Sequence, residues 1–343
     1  MRSVVRIINP YDAGVFPQGE VILLNSNENP YEPSEDVKKA YIDSLKRINR
    51  YPDASYPALK KAISEYLGIE VENLALGSGS SELISRVCEI IVEELDKVAI
   101  PMPSYSLYLT YAMLRDASLL LPIYERYSIT PEFFEEEKPK LSIICSPNNP
   151  TGNCIERRIA EKIAENSEYV LIDEAYAEFA DKNLLEMVQE FENIIILRSF
   201  SKFFGLAGLR IGYAVASREI AEALEKVRLP FAIPTPGVAT AIAALRSLDH
   251  YLELRKRIVE ERERVSRELK RIGFEVFPSD ANFVLFRAEK GLFEKLLQNG
   301  VVVRSLSGLI GLEGEYIRMT IGKREENDRA LEVLESERGK SPA

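Results

Sequence analysis

Five short runs of apolar residues mark the middle of the chain: DKVAI (96–100), LSIIC (141–145), YVLID (169–173), IIILR (194–198) and IGYAV (211–215). None alternates cleanly between apolar and polar residues, so none is suited to a sheet with one wet face. They are rich in Val and Ile, whose branched side chains pack well on a pleated surface. Between several of them lie helical patterns, such as IERRIAEKIAEN (155–166) and SREIAEALEKVR (217–228). Buried strands separated by amphipathic helices specify an α/β fold with a mostly parallel sheet flanked by helices. In such sheets ligands gather at the carboxyl ends of the strands. The residues just after each run are therefore the ones to inspect.

At 343 residues the chain is long enough for two domains. The three prolines of LPFAIPTPG (229–237) argue against a continuous helix there. One long charged helix is expected over roughly 237–272, stopped by Gly273. EVFPSDANFVLFRA and VVVRSLSG read as strands of a smaller α+β domain, and the tail after Arg324 reads as helical and solvated. The expected division is an N-terminal arm at 1–26, a large domain at 27–240 and a small domain at 241–343, with 27–45 packing on the small domain. ERERVSRELKR (261–271) is most simply a solvated helix face.

The formal net charge of -10 argues against a nucleic-acid surface. No run approaches the length needed to span a bilayer, and the opening MRSVVRIINPYD carries no signal-peptide core, so a cytoplasmic protein is expected. The single histidine, His250, has no ligand-spaced neighbours, and Cys88, Cys145 and Cys154 show no metal-type spacing. A Ser-His-Asp triad, a zinc centre or another metal site is therefore not expected. Chemistry must run on Lys, Tyr, Asp and Arg, or on a borrowed cofactor.

Four stretches carry such residues. GSGSSE (77–82) precedes a helical run, so Ser80 and Ser81 stand where free backbone N–H groups attract a phosphate; a plain tight turn is the bland alternative. SPNNPTG (146–152) follows a strand and offers the uncharged amide of Asn149. Asp173 closes the strand YVLID, either as a helix cap or as the partner of a protonated ring nitrogen, and Tyr176 adds a phenol nearby. In RSFSKFFGLAGLRIGY (198–213), Lys202 sits among apolar residues that favour its neutral amine, although a snorkelling surface lysine would also fit. Arg210 cannot lose its proton and suits a phosphate also approached by Ser199 and Ser201. Together these supply a phosphate clamp, an imine-forming amine, a ring-nitrogen partner and ring-oxygen donors, the functions that pyridoxal 5'-phosphate requires.

SPNNPTG, DEAYAEF, SFSKFFGLAGLRIGY and RMTIGKREEN resemble the fold-type I pyridoxal-phosphate aminotransferases, and within them the histidinol-phosphate aminotransferases, from about residue 9 to 335. The resemblance implies Lys202 as the Schiff-base lysine and Asp173 as partner of the pyridine nitrogen. It implies ring-oxygen contacts from Asn149 and Tyr176, and ring stacking by Tyr105. The phosphate would rest on Ser80, Ser81, Ser199, Ser201 and Arg210. Tyr51 corresponds to a residue reaching the neighbouring subunit's cofactor, which implies a homodimer with shared active sites. Tyr11, Asn27, Arg304 and Arg318 match substrate-facing positions; Arg318 also lies in a strand-like run where a buried guanidinium demands an anion. Relatives commonly carry Asp where Ser81 stands, which changes the local charge. The implied substrates are a phosphorylated amino alcohol and 2-oxoglutarate or glutamate. A threonine-phosphate decarboxylase, a broad-specificity aromatic aminotransferase and, more remotely, a cofactor-sensing regulator share much of this pattern.

Overall fold

A computed structural model describes residues 1–12, 14, 15, 17 and 19–338; the parts of the expected arm and small domain at 13, 16, 18 and 339–343 lie outside it. Seven strands form the central sheet: β2 (Leu74–Gly77), β3 (Lys97–Ala99), β4 (Ser118–Leu120), β5 (Leu141–Cys145), β6 (Tyr169–Asp173), β7 (Ile194–Ser199) and β8 (Gly212–Ala216). Their order is β2-β8-β7-β6-β5-β3-β4. All run parallel except β8, which is antiparallel to both of its neighbours. A short parallel pair joins β1 (Ile22–Leu23) to β10 (Val301–Val302). A second sheet orders β11 (Arg304–Ser305), β12 (Tyr316–Thr320) and β9 (Phe283–Arg287) antiparallel.

The two faces of the central sheet have separate cores, as the period of two requires. Leu171, Ile195 and Leu197 point to one side, where they meet Leu83, Val87 and Cys88 of α3 (Ser80–Ile91) and Leu224 of α7 (Arg218–Lys226). Val170, Ile172, Ile194 and Ile196 point to the other, towards Ile63 of α2 (Pro57–Leu67) and Ile163 of α6 (Arg157–Asn166). That second core continues without a break into Val284, Phe286 and Met319 of the β9–β12 sheet. The remaining helices are α1 (Glu35–Ser44), α4 (Ser106–Leu114), α5 (Glu132–Glu137), α8 (Thr235–Arg246), α9 (Leu248–Ile272), α10 (Leu292–Gln298) and α11 (Arg324–Arg338).

Two sequence expectations need correction here. The single helix expected over 237–272 is two, α8 and α9, broken at Ser247, whose backbone leaves the helical region at φ -99°, ψ 31°. Its N–H still bonds back to Ala243 and Ala244, so no glycine or proline marks the break. The C-terminal helix is not solvated all round: Ala330, Leu331, Val333 and Leu334 of α11 are buried in the core. Gly273 does end α9 as expected, at φ +100°.

Candidate active site

The C-terminal ends of β2, β5, β6 and β7 share one edge of the sheet, and around them lies a cavity of about 590 Å³. Every single-chain candidate except Tyr51 lines it: Ser80, Ser81, Tyr105, Asn149, Asp173, Tyr176, Ser199, Ser201, Lys202 and Arg210, with Tyr11, Asn27, Arg304 and Arg318 opposite. Arg210 corrects one expectation, because it precedes β8 rather than following a strand. As β8 is antiparallel, its N-terminal end falls at the same edge.

The anion cradle depends on two glycines. Gly212 is register-paired with both Gly77 and Ser199. A Cβ on it would stand 2.4 Å from Ser80 N and 2.5 Å from the Gly79 carbonyl carbon, so glycine lets the first turn of α3 approach the sheet. Gly79 has φ +81°, and a Cβ there would meet Arg210 Nη2 at 2.5 Å. Arg210 Nη1 donates to Ser201 Oγ at 3.3 Å, and Nη2 donates to Ser81 Oγ at 3.2 Å. The guanidinium, two hydroxyls and the free N–H groups at the α3 terminus therefore converge without a carboxylate among them, a donor set for phosphate. Replacing Gly79 with Ala is expected to weaken cofactor binding by about tenfold or more through displaced Arg210 and backbone strain; equilibrium dialysis against pyridoxal phosphate checks this.

Lys202 Nζ donates to the carbonyl of Ser26 at 2.8 Å. Burial lowers its pKa to about 8, helped by the positive charges of Arg318 and Arg210 and opposed by Glu28 and Asp173. A cation depressed in this way loses its proton as pH rises through about 8 rather than at its usual 10.5. In cofactor-free protein, acylation of Lys202 followed by mass spectrometry should thus rise with a midpoint near pH 8. An exposed lysine such as Lys61 serves as the control.

Asp173 is buried at the end of β6. Its Oδ2 accepts from Tyr108 OH at 2.8 Å and its Oδ1 from the Ala175 N–H at 3.1 Å. Burial raises its pKa, while those two hydrogen bonds and Lys202 oppose the rise. A protonated ring nitrogen is the partner that would favour the ionised carboxylate in this setting.

On the far wall, Arg304 and Arg318 are register partners on adjacent strands. Arg318 Nη1 donates to Asn149 Oδ1 at 2.5 Å and Nη2 to the Asn25 carbonyl at 2.7 Å, while its buried Nε has no partner among the described residues. Burial lowers the Arg318 pKa, as expected of a cation held here by neutral groups alone. Arg304 pairs with Asp12 of the arm at 3.1 Å, and Tyr11 meets Tyr105 edge-on at 6.1 Å. Asn27 donates from Nδ2 to Tyr176 OH at 3.0 Å, so its amide is engaged with another residue of the cavity wall. Tyr51 lies elsewhere on this chain, 77% exposed and stacked on Phe231 at 4.2 Å.

Several contributors escaped the sequence reading. Tyr108 of α4 follows Tyr105, the N-cap of that helix, by three residues, and the two rings meet edge-on at 5.6 Å. The carbonyls of Asn25 and Ser26 leave no sequence signal, since every residue has one. Arg198, Glu174 and Glu178 carry no signal of pairing in sequence, yet Arg198 is buried with Glu174 at 2.7 Å and Glu178 at 3.0 Å. That cluster ties the segment after Asp173 to the end of β7, from which Lys202 follows.

The cradle, the strand-end carboxylate and the low-pKa amine fit pyridoxal 5'-phosphate at three separate points, which defines the class: a pyridoxal-phosphate-dependent enzyme of the aminotransferase type. The model of the family described as "Aminotransferase class I and II" matches residues 19–334. The chain belongs to that family and, within it, to the histidinol-phosphate aminotransferases. It is 61% identical over 340 residues to "Histidinol-phosphate aminotransferase 2" of Archaeoglobus fulgidus, covering 97% of this chain and 99% of that one. Among solved structures, histidinol-phosphate aminotransferase from Sinorhizobium meliloti in complex with pyridoxal-5'-phosphate superposes with a TM-score of 0.87 at 25% identity, covering 98% of each chain. The Clostridium acetobutylicum enzyme gives 0.86 at 28% identity, covering 94% of this chain and all of that one.

Proposed function

We propose that this enzyme transfers the amino group of L-histidinol phosphate to 2-oxoglutarate, giving imidazole-acetol phosphate and L-glutamate in histidine biosynthesis. The observation that carries the substrate assignment is the register pairing of Arg304 with Arg318 in the cavity that holds Lys202 and Asp173. One amino substrate brings a phosphate and the other a carboxylate, and two adjacent guanidiniums can receive either.

Pyridoxal phosphate, when bound, supplies an aldehyde that captures amines and a ring that withdraws electrons from the neighbouring carbon. The chain's residues do the rest. Arg210, Ser199 and Ser201, with Ser80 and Ser81 at the end of α3, would hold the phosphate. Asp173 would keep the ring nitrogen protonated, and Asn149 with Tyr176 would donate to the ring oxygen. Lys202 Nζ, largely freed of its charge penalty as the neutral amine, takes the Cα proton of the substrate. Tyr105 would stack on the ring and Tyr11 would face the substrate, both lining the cavity.

The active unit is proposed to be a cytoplasmic homodimer. Ile42, Leu45 and Ile48 are 63%, 44% and 62% exposed near Tyr51, an apolar surface suited to a second copy. Tyr51 would then serve the partner's site, and the division into an arm (1–26), a large domain (27–240) and a small domain (241–343) belongs to the same proposal. Sedimentation velocity tests the dimer. For the reaction, purified enzyme receives histidinol phosphate with 2-oxoglutarate and, separately, threonine phosphate. Glutamate in the first assay is the expected result; carbon dioxide from the second alone would overturn the assignment.

A further inference from the structure

Arg318 and Thr320 are two residues apart on β12, so their side chains leave the strand on the same face. Each reaches a ring-oxygen donor of the large domain. Arg318 holds Asn149 directly. Thr320 acts one residue further away: its Oγ1 accepts the backbone N–H of Asn27 at 2.9 Å and donates to Asn27 Oδ1 at 3.2 Å. Asn27 Nδ2 in turn donates to Tyr176 OH at 3.0 Å, and Asn282 Nδ2 donates to the Asn27 carbonyl at 3.1 Å. Asn27, Thr320 and Tyr176 are 1%, 3% and 6% exposed, so water does not compete for these bonds.

The directions follow from proton counting. A hydroxyl has one proton to give. With that of Thr320 given to Asn27 Oδ1, the amide must turn its NH₂ towards Tyr176. The phenol oxygen then accepts, and its own proton is left to point elsewhere. Burial also keeps the Tyr176 phenol protonated well above its ordinary range. We propose that Thr320 is a positioning residue which, through Asn27, makes Tyr176 a hydrogen-bond donor into the cavity. Asn27 suits the link because its backbone sits at φ +52°, which Asn tolerates better than most residues. One strand of the smaller sheet thus aims both donors at the ring oxygen. The inference rests on the reading of Tyr176 as a ring-oxygen donor.

A donor at that oxygen stabilises its negative charge and lowers the pH at which the bound cofactor's visible absorption titrates. Tyr176 is faced by Arg318 from β12, by Cys145 and Asp173 from the ends of β5 and β6, and by Lys202 at 5.9 Å from its ring; the substitutions below leave all four in place. In holoenzyme, Thr320→Val should move the titration upward by roughly 0.5–1 unit, in the direction of Tyr176→Phe. Thr320→Ser should restore the wild-type value. In the Tyr176→Phe background Thr320→Val should add no further shift. Asn27→Gly, which keeps the positive φ accessible, provides the same test should the valine variant not fold, and should match Tyr176→Phe. A Thr320→Val or Asn27→Gly holoenzyme titrating like wild type overturns the relay, as does a Thr320→Val shift undiminished by Tyr176→Phe. A wild-type protein with no cofactor absorption would instead overturn the functional reading itself.

Discussion

Lys202→Ala is expected to lower glutamate production by about four orders of magnitude or more, the scale set by losing a nucleophile that also serves as general base. Among the described residues lining the cavity, Lys202 is the only amine. The remaining cations lining it are Arg210, Arg304 and Arg318, guanidiniums that donate hydrogen bonds and offer no acceptor. The structural cost is small, because the ammonium's hydrogen bond is a single one, to Ser26 O, and burial already disfavours its charge. The variant should therefore melt within a few degrees of wild type, still bind pyridoxal phosphate through the cradle, and lack the wild-type visible absorption. Spectrum, melting curve and turnover together separate loss of chemistry from loss of fold. Turnover above about 1% of wild type would sink the assignment.

The large features of this molecule were legible because they are written in side-chain pattern. LSIIC, YVLID and IIILR coincide with β5, β6 and β7 almost to the residue, since strands buried on both faces are built mostly of apolar side chains. Lys202, Asp173 and Asn149 could be found because a topological rule tells where strand-end residues converge. Arg210 reached the same edge by a different route, since nothing local distinguishes an antiparallel β8 from a parallel strand. The break at Ser247 was hidden because its bonds to Ala243 and Ala244 are those of an ordinary helix end with no special residue. Arg198, Glu174 and Glu178 were read past because charge in sequence usually means solvent, and only tertiary pairing makes burial affordable. Thr320 lies in the quoted motif RMTIGKREEN, yet its role depends on a contact 293 residues away.

Asp173→Asn should give a less active enzyme whose cofactor-free form is at least as stable as wild type. The change preserves shape and leaves an oxygen to accept the Ala175 N–H, while Tyr108 keeps a polar neighbour. What is lost is the charge proposed to face the ring nitrogen. Breaking a buried ion pair by removing one partner costs about 3–5 kcal/mol, so kcat should fall roughly 10²–10⁴-fold. The KM for 2-oxoglutarate should change little, since Arg304 and Arg318 are untouched. Tyr108→Phe removes only one hydrogen bond to the carboxylate and should cost about tenfold. Stability moves the other way. Burial raises the Asp173 pKa, so the folded cofactor-free protein holds that proton more tightly than the unfolded chain does. Stability therefore declines as pH rises from the ordinary carboxylate value through the raised one, and stays lower at neutral pH. Asparagine removes the buried charge, so the cofactor-free variant should melt at or above the wild-type temperature at pH 7. A carboxylate kept for packing would show the reverse, with stability lost and kcat nearly intact. Retaining an acid that destabilises the empty site is reasonable only if a cation arrives to meet it.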